Sequence, residues 1–215
     1  SKNILSFFNK ESFIHAIKTD PSLLSLVVTN LIVIVLAVIN NWDFSKIIWV
    51  YWMQSVFIGL ITLLKIFGIK SLDIRNIQNQ KVDSFLAKLF LALFFLAHFS
   101  FFHYIYRVFL VEEIGFPGWE FIITNSILFF VNHLFSFIYN KNNYQDNADI
   151  AEIFYKPYTR TIPLHLTIIL CGFLNMVFIP LGISFLNSIL LIIFLFIKTV
   201  VDAQLHIREH QNQQV

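Results

Sequence analysis

The sequence predicts an all-α membrane protein, a polytopic bundle of six transmembrane helices preceded by an N-terminal amphipathic helix in the membrane interface. Hydrophobic residues make up 57% of the 215 residues and charged residues only 13%, against about 45–50% and about 25% in a soluble domain. The mean hydropathy is +0.72. Six apolar runs each reach the roughly 20 residues that cross a hydrocarbon core as a helix. These runs are continuous rather than alternating, which argues against a strand barrel.

The composition also excludes several functional classes. A chain with so little charge cannot cover its own surface in water, so we exclude a soluble enzyme, a disordered tail and a nucleic-acid-binding protein. The single cysteine, Cys171, lies inside an apolar run and permits neither an internal disulfide nor a cysteine metal cluster. The expected partners are membrane lipids, a lipid-like substrate and a second copy of the chain, with no nucleic acid.

The elements follow in order along the chain. Residues 1–20 mix apolar side chains with lysines and are expected to lie in the interface, residues 21–208 form the transmembrane domain, and residues 209–215 form a cytoplasmic tail. Pro21 stands where the first span begins, a position that tolerates proline. Trp119, after a Pro-Gly turn, suits the headgroup belt. The six spans are placed near Ser22–Ile39, Ile47–Phe67, Phe85–Leu110, Phe121–Tyr139, Ile162–Leu181 and Leu186–Leu205.

The basic residues orient the bundle. Twelve Lys and Arg residues fall in the leader, in the loops between spans two and three and between spans four and five, and in the C-terminal tail. Only Lys46 and Arg107 fall on the opposite side, and Lys198 lies within a span. Because cytoplasmic loops carry the excess of Lys and Arg, we expect both termini in the cytoplasm and the protein in the inner (cell) membrane.

The second span begins with an aromatic stretch. Trp49, Tyr51 and Trp52 are predicted to lie in the outer aromatic belt. Gln54 lies deeper and needs a hydrogen-bonding partner, for which His103 on the third span is the first candidate. Gly59 is expected to permit close packing between helices.

The sixth span contains ionisable residues that are costly in a membrane. Lys198, Asp202 and His206 recur every four residues and therefore share one helical face. One interpretation is a Lys198–Asp202 salt bridge that tethers the helix to the bundle. The other is a metal or proton-transfer site, because ionisable groups inside a membrane commonly serve function.

Other spans add histidines and neutral polar groups. Depths estimated from the helical rise of about 1.5 Å per residue place His165, Asp202, His206 and His133 together in the cytoplasmic half, and Gln54 and His103 in the outer half. Three histidines and a carboxylate at one depth predict a zinc site. The alternative is that each histidine only hydrogen-bonds across a helix interface. The fourth span also carries a polar stripe, formed by Asn125, Ser126, Asn132, His133 and Ser136.

Four motifs stand out, in order, between about Asp20 and His206. They are Tyr51-Trp52-x-Gln54-Ser55-Val56-x-Ile58-Gly59 followed by Lys65, His103-Tyr104, Pro157-Tyr158-x-Arg160-x-x-Pro163-x-His165-x-Thr167-Ile168, and Lys198-Thr199-x-x-Asp202-x-x-x-His206. Together they resemble an uncharacterised prokaryotic membrane family, domain-of-unknown-function family 6498. Members often have a carboxylate where this chain has Gln54, so the resemblance implies a neutral amide in place of a base or ligand. The family brings no established activity.

These residues favour a metal-dependent hydrolase of lipid-like substrates, in which zinc generates hydroxide from bound water. Protease and esterase signatures such as H-E-x-x-H and G-x-S-x-G are absent from the sequence. A proton- or ion-coupled transporter, a haem-binding protein and a non-catalytic accessory subunit remain open as alternatives. The expected roles are catalytic for Asp202, Ser136 and Gln54, substrate-binding for Arg160, Asn132 and His103, and metal-binding for His165, His206, Asp202 and His133.

Overall fold

A computed structural model describes residues 20–69 and 84–140 continuously, together with residues 155, 157–159, 161–162, 165, 169, 173, 176–177 and 198–199. The continuous parts form four α-helices and contain no strand. We number them α1 (Pro21–Ile39), α2 (Phe44–Gly68), α3 (Ser84–Ile114) and α4 (Trp119–Tyr139). Each is long and apolar enough to cross a membrane.

These helices confirm the all-helical class and coincide with the first four predicted spans. α3 continues four residues beyond the predicted end at Leu110, because Val111 to Ile114 stay helical until Gly115, whose φ of +75° ends the helix. The predicted interfacial helix and the fifth and sixth spans lie wholly or largely outside the described residues and stay predictions. The inner-membrane location and the orientation of the termini also stay predictions.

The start of α1 follows from its sequence. The Asp20 carboxylate accepts hydrogen bonds from the backbone N–H groups of Ser22 at 2.8 Å and Leu23 at 3.3 Å, and Pro21 occupies the first helical turn. The first N–H groups of a helix have no partner within it; Asp20 accepts two of them, and Pro21 has no N–H group. Buried residues then recur at helical spacing along one face, at Leu23, Leu26, Asn30, Val33 and Ala37.

The chain divides into two compact units, residues 48–162 and residues 1–47 with 163–215. Within the 48–162 unit, α2 and α3 are antiparallel, because Ser55 contacts His103, Gly59 faces Phe99, and the Lys88 ammonium donates to the Ile69 carbonyl. α2 and α4 are parallel, since Tyr51 packs on Phe129 and Gln54 contacts His133.

A short turn joins α3 to α4 and marks what we call the turn end of this unit. It begins with Gly115 and ends with Gly118, whose φ values of +75° and +95° suit residues without a Cβ. The indole of Trp49 on α2 donates a 2.8 Å hydrogen bond to the Gly115 carbonyl. Its ring packs edge-on against Phe116, so α2 is fastened to the α3–α4 turn.

The aromatic residues that begin α2 do not form an outer belt, so that prediction is wrong. Trp49 and Tyr51 are 0% exposed and Trp52 is 5% exposed. They are buried because other rings cover them: Trp49 packs edge-on against Trp52, and Tyr51 packs on Phe129. Trp119, at the start of α4, remains exposed as a belt residue would.

We expect Gly59→Ala to destabilise the protein. A Cβ at position 59 would overlap the ring of Phe99, and the ring cannot move away without disturbing its stacking on His103. Overpacking of this kind typically costs about 1–3 kcal/mol. The measurement is the midpoint temperature of unfolding in detergent. Gly68→Ala is the matched control, because no atom of the described residues lies within 4 Å of a Cβ there. Equal midpoints for the two variants would contradict the close approach.

Candidate functional site

The centre of the candidate site is a hydrogen-bonded serine and histidine from two helices. Ser55 Oγ on α2 lies 2.8 Å from His103 Nε2 on α3. Both residues are buried. The Ser55 hydroxyl also lies 2.6 Å from the Trp52 carbonyl oxygen, one helical turn back. Its single proton therefore has two acceptors within reach.

The other ring nitrogen of His103 fixes the tautomer. His103 Nδ1 lies 3.0 Å from the carbonyl oxygen of Phe99, and because a carbonyl only accepts, Nδ1 carries the proton. Nε2 is then an unprotonated acceptor that faces the Ser55 hydroxyl. The Phe99 ring also stacks on the imidazole at a centroid distance of 4.0 Å, which holds the ring in this orientation.

The neighbouring residue on α2 makes a second contact between helices. Gln54 Nε2 lies 3.4 Å from His133 Nε2 on α4, with the amide donating and the imidazole accepting. We expected Gln54 to meet His103; its contact with His133 differs because consecutive helical residues point about 100° apart. Gln54 therefore faces α4 while Ser55 faces α3. The contact also corrects the depth estimate, which put His133 in a different layer from Gln54.

An apolar groove of about 80 Å³ lies between α2 and α3 and ends at His103. Phe95 and Phe99 line it from α3, and Leu60 and Leu96 at its rim are partly exposed. The groove runs from the serine–histidine pair away from the turn end. Its full lining is Val56, Gly59, Leu60, Leu63, Phe95, Leu96, Phe99, Ser100 and His103.

The other predicted site residues on α4 share a helix with His133. Asn132 is buried and Ser136 is half-buried. The backbone carbonyl of Ser136 accepts from the Asn140 amide at 3.0 Å, which closes the end of the helix. A catalytic role for Ser136 and a substrate-binding role for Asn132 stay predictions.

The predicted zinc site draws on both compact units and on residues outside the described parts of the chain. His165 belongs to the other compact unit, and Asp202, His206 and Arg160 lie outside the described residues. Among the residues that the structure describes, no three His, Cys, Asp or Glu side chains could hold a metal ion together. Zinc binding and substrate binding by Arg160 stay predictions.

Tyr158 packs against α3. Its Oη lies 2.6 Å from His98 Nδ1, and its ring packs edge-on against Phe95. His98 is ten residues beyond Lys88, about 15 Å along α3. Tyr158 therefore lies beside the middle of α3.

Sequence reasoning missed an amide partner for the lysine of the sixth span. Lys198 Nζ lies 3.5 Å from Asn30 Oδ1 on α1, and Lys198 is only 7% exposed. The Asn30 amide group also donates to the Leu26 carbonyl at 3.0 Å. A single amide in an otherwise apolar span is the signal that would have found it.

We expect Asn30→Leu to lower the midpoint temperature of unfolding in detergent, because it removes an acceptor of a buried ammonium. Hydrogen bonds to charged groups are worth about 1.5–3 kcal/mol, and the 3.5 Å separation puts this one at the weak end. Adding Lys198→Met should recover part of the loss. Asn125→Leu is the matched control, since Asn125 makes the same bond to the carbonyl four residues back, at 2.7 Å. If the losses from the two single substitutions simply add in the double variant, the contact between Lys198 and Asn30 is refuted.

The comparisons with known proteins identify a family and no activity. A family model described as "Family of unknown function (DUF6498)" matches residues 15–215. No curated protein and no solved structure matches the chain. The match covers all four described helices and the polar residues singled out above, and it confirms the resemblance that the motifs indicate. The chain therefore belongs to the DUF6498 family, whose function is unknown.

Proposed function

We propose that this protein is a membrane-embedded hydrolase that cleaves an acyl ester in a lipid-like substrate, with Ser55 as nucleophile and His103 as general base. The observation that supports it is the 2.8 Å contact between Ser55 Oγ and His103 Nε2. A serine is activated when a base lies within hydrogen-bond reach and a third group orients that base. The Phe99 carbonyl is the orienting group here.

The proposed reaction has two halves. Ser55 Oγ attacks the ester carbonyl carbon while its proton passes to His103 Nε2, and His103 then protonates the departing alcohol. Water then attacks the carbonyl carbon of the acyl-serine while His103 accepts its proton. The bond from this carbon to Ser55 Oγ breaks, the fatty acid leaves, and His103 returns the proton to Oγ. The Phe99 carbonyl accepts from Nδ1–H throughout and stabilises the imidazolium. A carbonyl stabilises that charge less than a carboxylate would.

The groove suits the apolar part of such a substrate. It is lined by aliphatic and aromatic side chains and ends at the proposed base, so an acyl chain lying in it would bring its ester to Ser55. Leu60 and Leu96 at the rim are exposed, which gives a lipid access from the side without crossing water. A hydrolase of soluble esters would have no use for such an opening.

The predicted zinc site offers a second route to the same reaction, and chelation separates the two. If Ser55 and His103 carry the chemistry, dialysis against a chelator should leave the hydrolytic rate within about two-fold of its starting value, since neither residue needs a metal to exchange a proton. The measurement is release of fatty acid from a phospholipid in detergent micelles. A rate that collapses on chelation and returns with zinc would point instead to the metal-dependent route.

We expect purified protein to react with a fluorophosphonate at Ser55, seen as an added mass on the intact chain. Ser55→Ala should abolish both the adduct and the release of fatty acid. His103→Ala should slow both by roughly 10²–10⁴-fold, the usual contribution of a general base.

Ser126→Ala is the matched control for these variants. Ser126 is also fully buried, and its hydroxyl donates at 2.6 Å to the carbonyl of Ile122 one turn back. It should keep both the label and the activity. Wild-type turnover by Ser55→Ala would refute the proposal, and a stable protein with no label at any serine would favour a purely structural Ser55–His103 contact.

A further inference from the structure

Two buried N–H donors lie beside the serine–histidine pair on its turn-end side. They are Trp52 Nε1 and Arg107 Nε, and neither has a hydrogen-bond partner among the described residues. Trp52 is 5% exposed. Leaving a buried donor unsatisfied costs about 1–3 kcal/mol, so two in one neighbourhood call for an acceptor.

The helical register places these donors on the same side of the pair. Trp52 precedes Ser55 by three residues on α2, and Arg107 follows His103 by four on α3. Because α2 and α3 are antiparallel, both steps lead towards the turn end. Both side chains also contact Trp119: the Arg107 Cζ atom lies 5.5 Å from its ring centroid, and the Trp52 ring lies 6.5 Å from it.

The positive charge of Arg107 indicates that the missing hydrogen-bond acceptor is an anion. The salt bridge within the described part of the chain joins Lys46 and Asp43, and no carboxylate there pairs with Arg107. An indole face attracts a guanidinium but leaves its in-plane N–H groups available. Guanidinium groups bind phosphate through directed hydrogen bonds. A neutral acceptor would satisfy a donor but not the charge.

We propose that Arg107 and Trp52 bind a phosphate group, as carried by the headgroup of an anionic phospholipid. Along α2 the order is phosphate site at Trp52, nucleophile at Ser55 and apolar groove from Val56 to Leu63. The order of groups in a glycerophospholipid is the same: phosphate, ester, acyl chain. The first step spans three residues, about 4.5 Å of helical rise. That the bound lipid is a substrate rests on the proposed function. Binding of the lipid does not depend on its hydrolysis.

The test measures binding to the full-length chain carrying Ser55→Ala, so that no lipid is consumed. The probes are phosphatidylglycerol, diacylglycerol with the same chains, and inorganic phosphate, each titrated in detergent and followed by native mass spectrometry. We expect phosphatidylglycerol to bind at least ~10-fold tighter than diacylglycerol, the equivalent of about 1.4 kcal/mol. Adding Arg107→Gln should remove that advantage and leave diacylglycerol binding unchanged. Trp52→Phe should weaken phosphatidylglycerol binding by a smaller factor.

Lys46→Gln is the matched control, because Lys46 is basic but only partly buried and its ammonium lies 4.0 Å from the Asp43 carboxylate. This variant should bind phosphatidylglycerol normally. If Arg107→Gln does not fold, Arg107→Lys keeps the charge but loses the planar donor geometry and should bind at intermediate strength. If neither Arg107 variant changes the affinity for phosphatidylglycerol, the proposed site is overturned. If inorganic phosphate binds as tightly as phosphatidylglycerol, the assignment to a lipid is overturned. Arg107-dependent binding without hydrolysis by the wild type would refute the proposed function and leave the phosphate site standing.

Discussion

Two adjacent side chains on α2, Gln54 and Ser55, set the register of three helices. In a membrane the backbone of a helix satisfies its own hydrogen bonds, so buried polar side chains are the groups that must find partners on a neighbouring helix. Ser55 meets His103 on α3 and Gln54 meets His133 on α4. A slip of one turn along either helix would separate these partners. Gly59, one turn further along α2, lets the Phe99 ring of α3 approach closely, which this register requires.

The extent of the four described helices could be predicted from the sequence, but the faces that they present to each other could not. Span length depends on the hydrocarbon thickness, and the apolar runs record it directly. The rotation of a helix about its own axis is harder to predict from the sequence, because the lipid and the protein interior are both apolar and favour the same side chains. Trp49, Tyr51 and Trp52 therefore fit an aromatic belt by composition, yet they lie inside the bundle.

The candidate site shows the same division. Gln54, His103 and His133 stood out because amides and imidazoles are rare in spans, and the structure places all three at contacts between helices. Ser55 did not stand out, since a serine in a helix usually bonds to its own preceding turn, and Ser55 does so at Trp52 as well as reaching His103. From the sequence, Arg107 contributes only to the Lys and Arg count that orients the chain. Nothing in the sequence indicates that its guanidinium lies over the Trp119 ring.

The length of α3 has a consequence for where its chemistry would occur. Its 31 residues extend about 46 Å, whereas a hydrocarbon core is about 30 Å thick. Hydrophobic mismatch of this size is relieved by tilt or by a helix end that stands in the headgroup layer. His103 lies eleven residues, about 16 Å, from the Ile114 end of α3, so the depth of the Ser55–His103 pair below the leaflet surface on that side depends on which end of α3 takes up the excess length. Its depth below that surface would then change with bilayer thickness, and lipid composition would tune which groups of a neighbouring lipid lie level with Ser55.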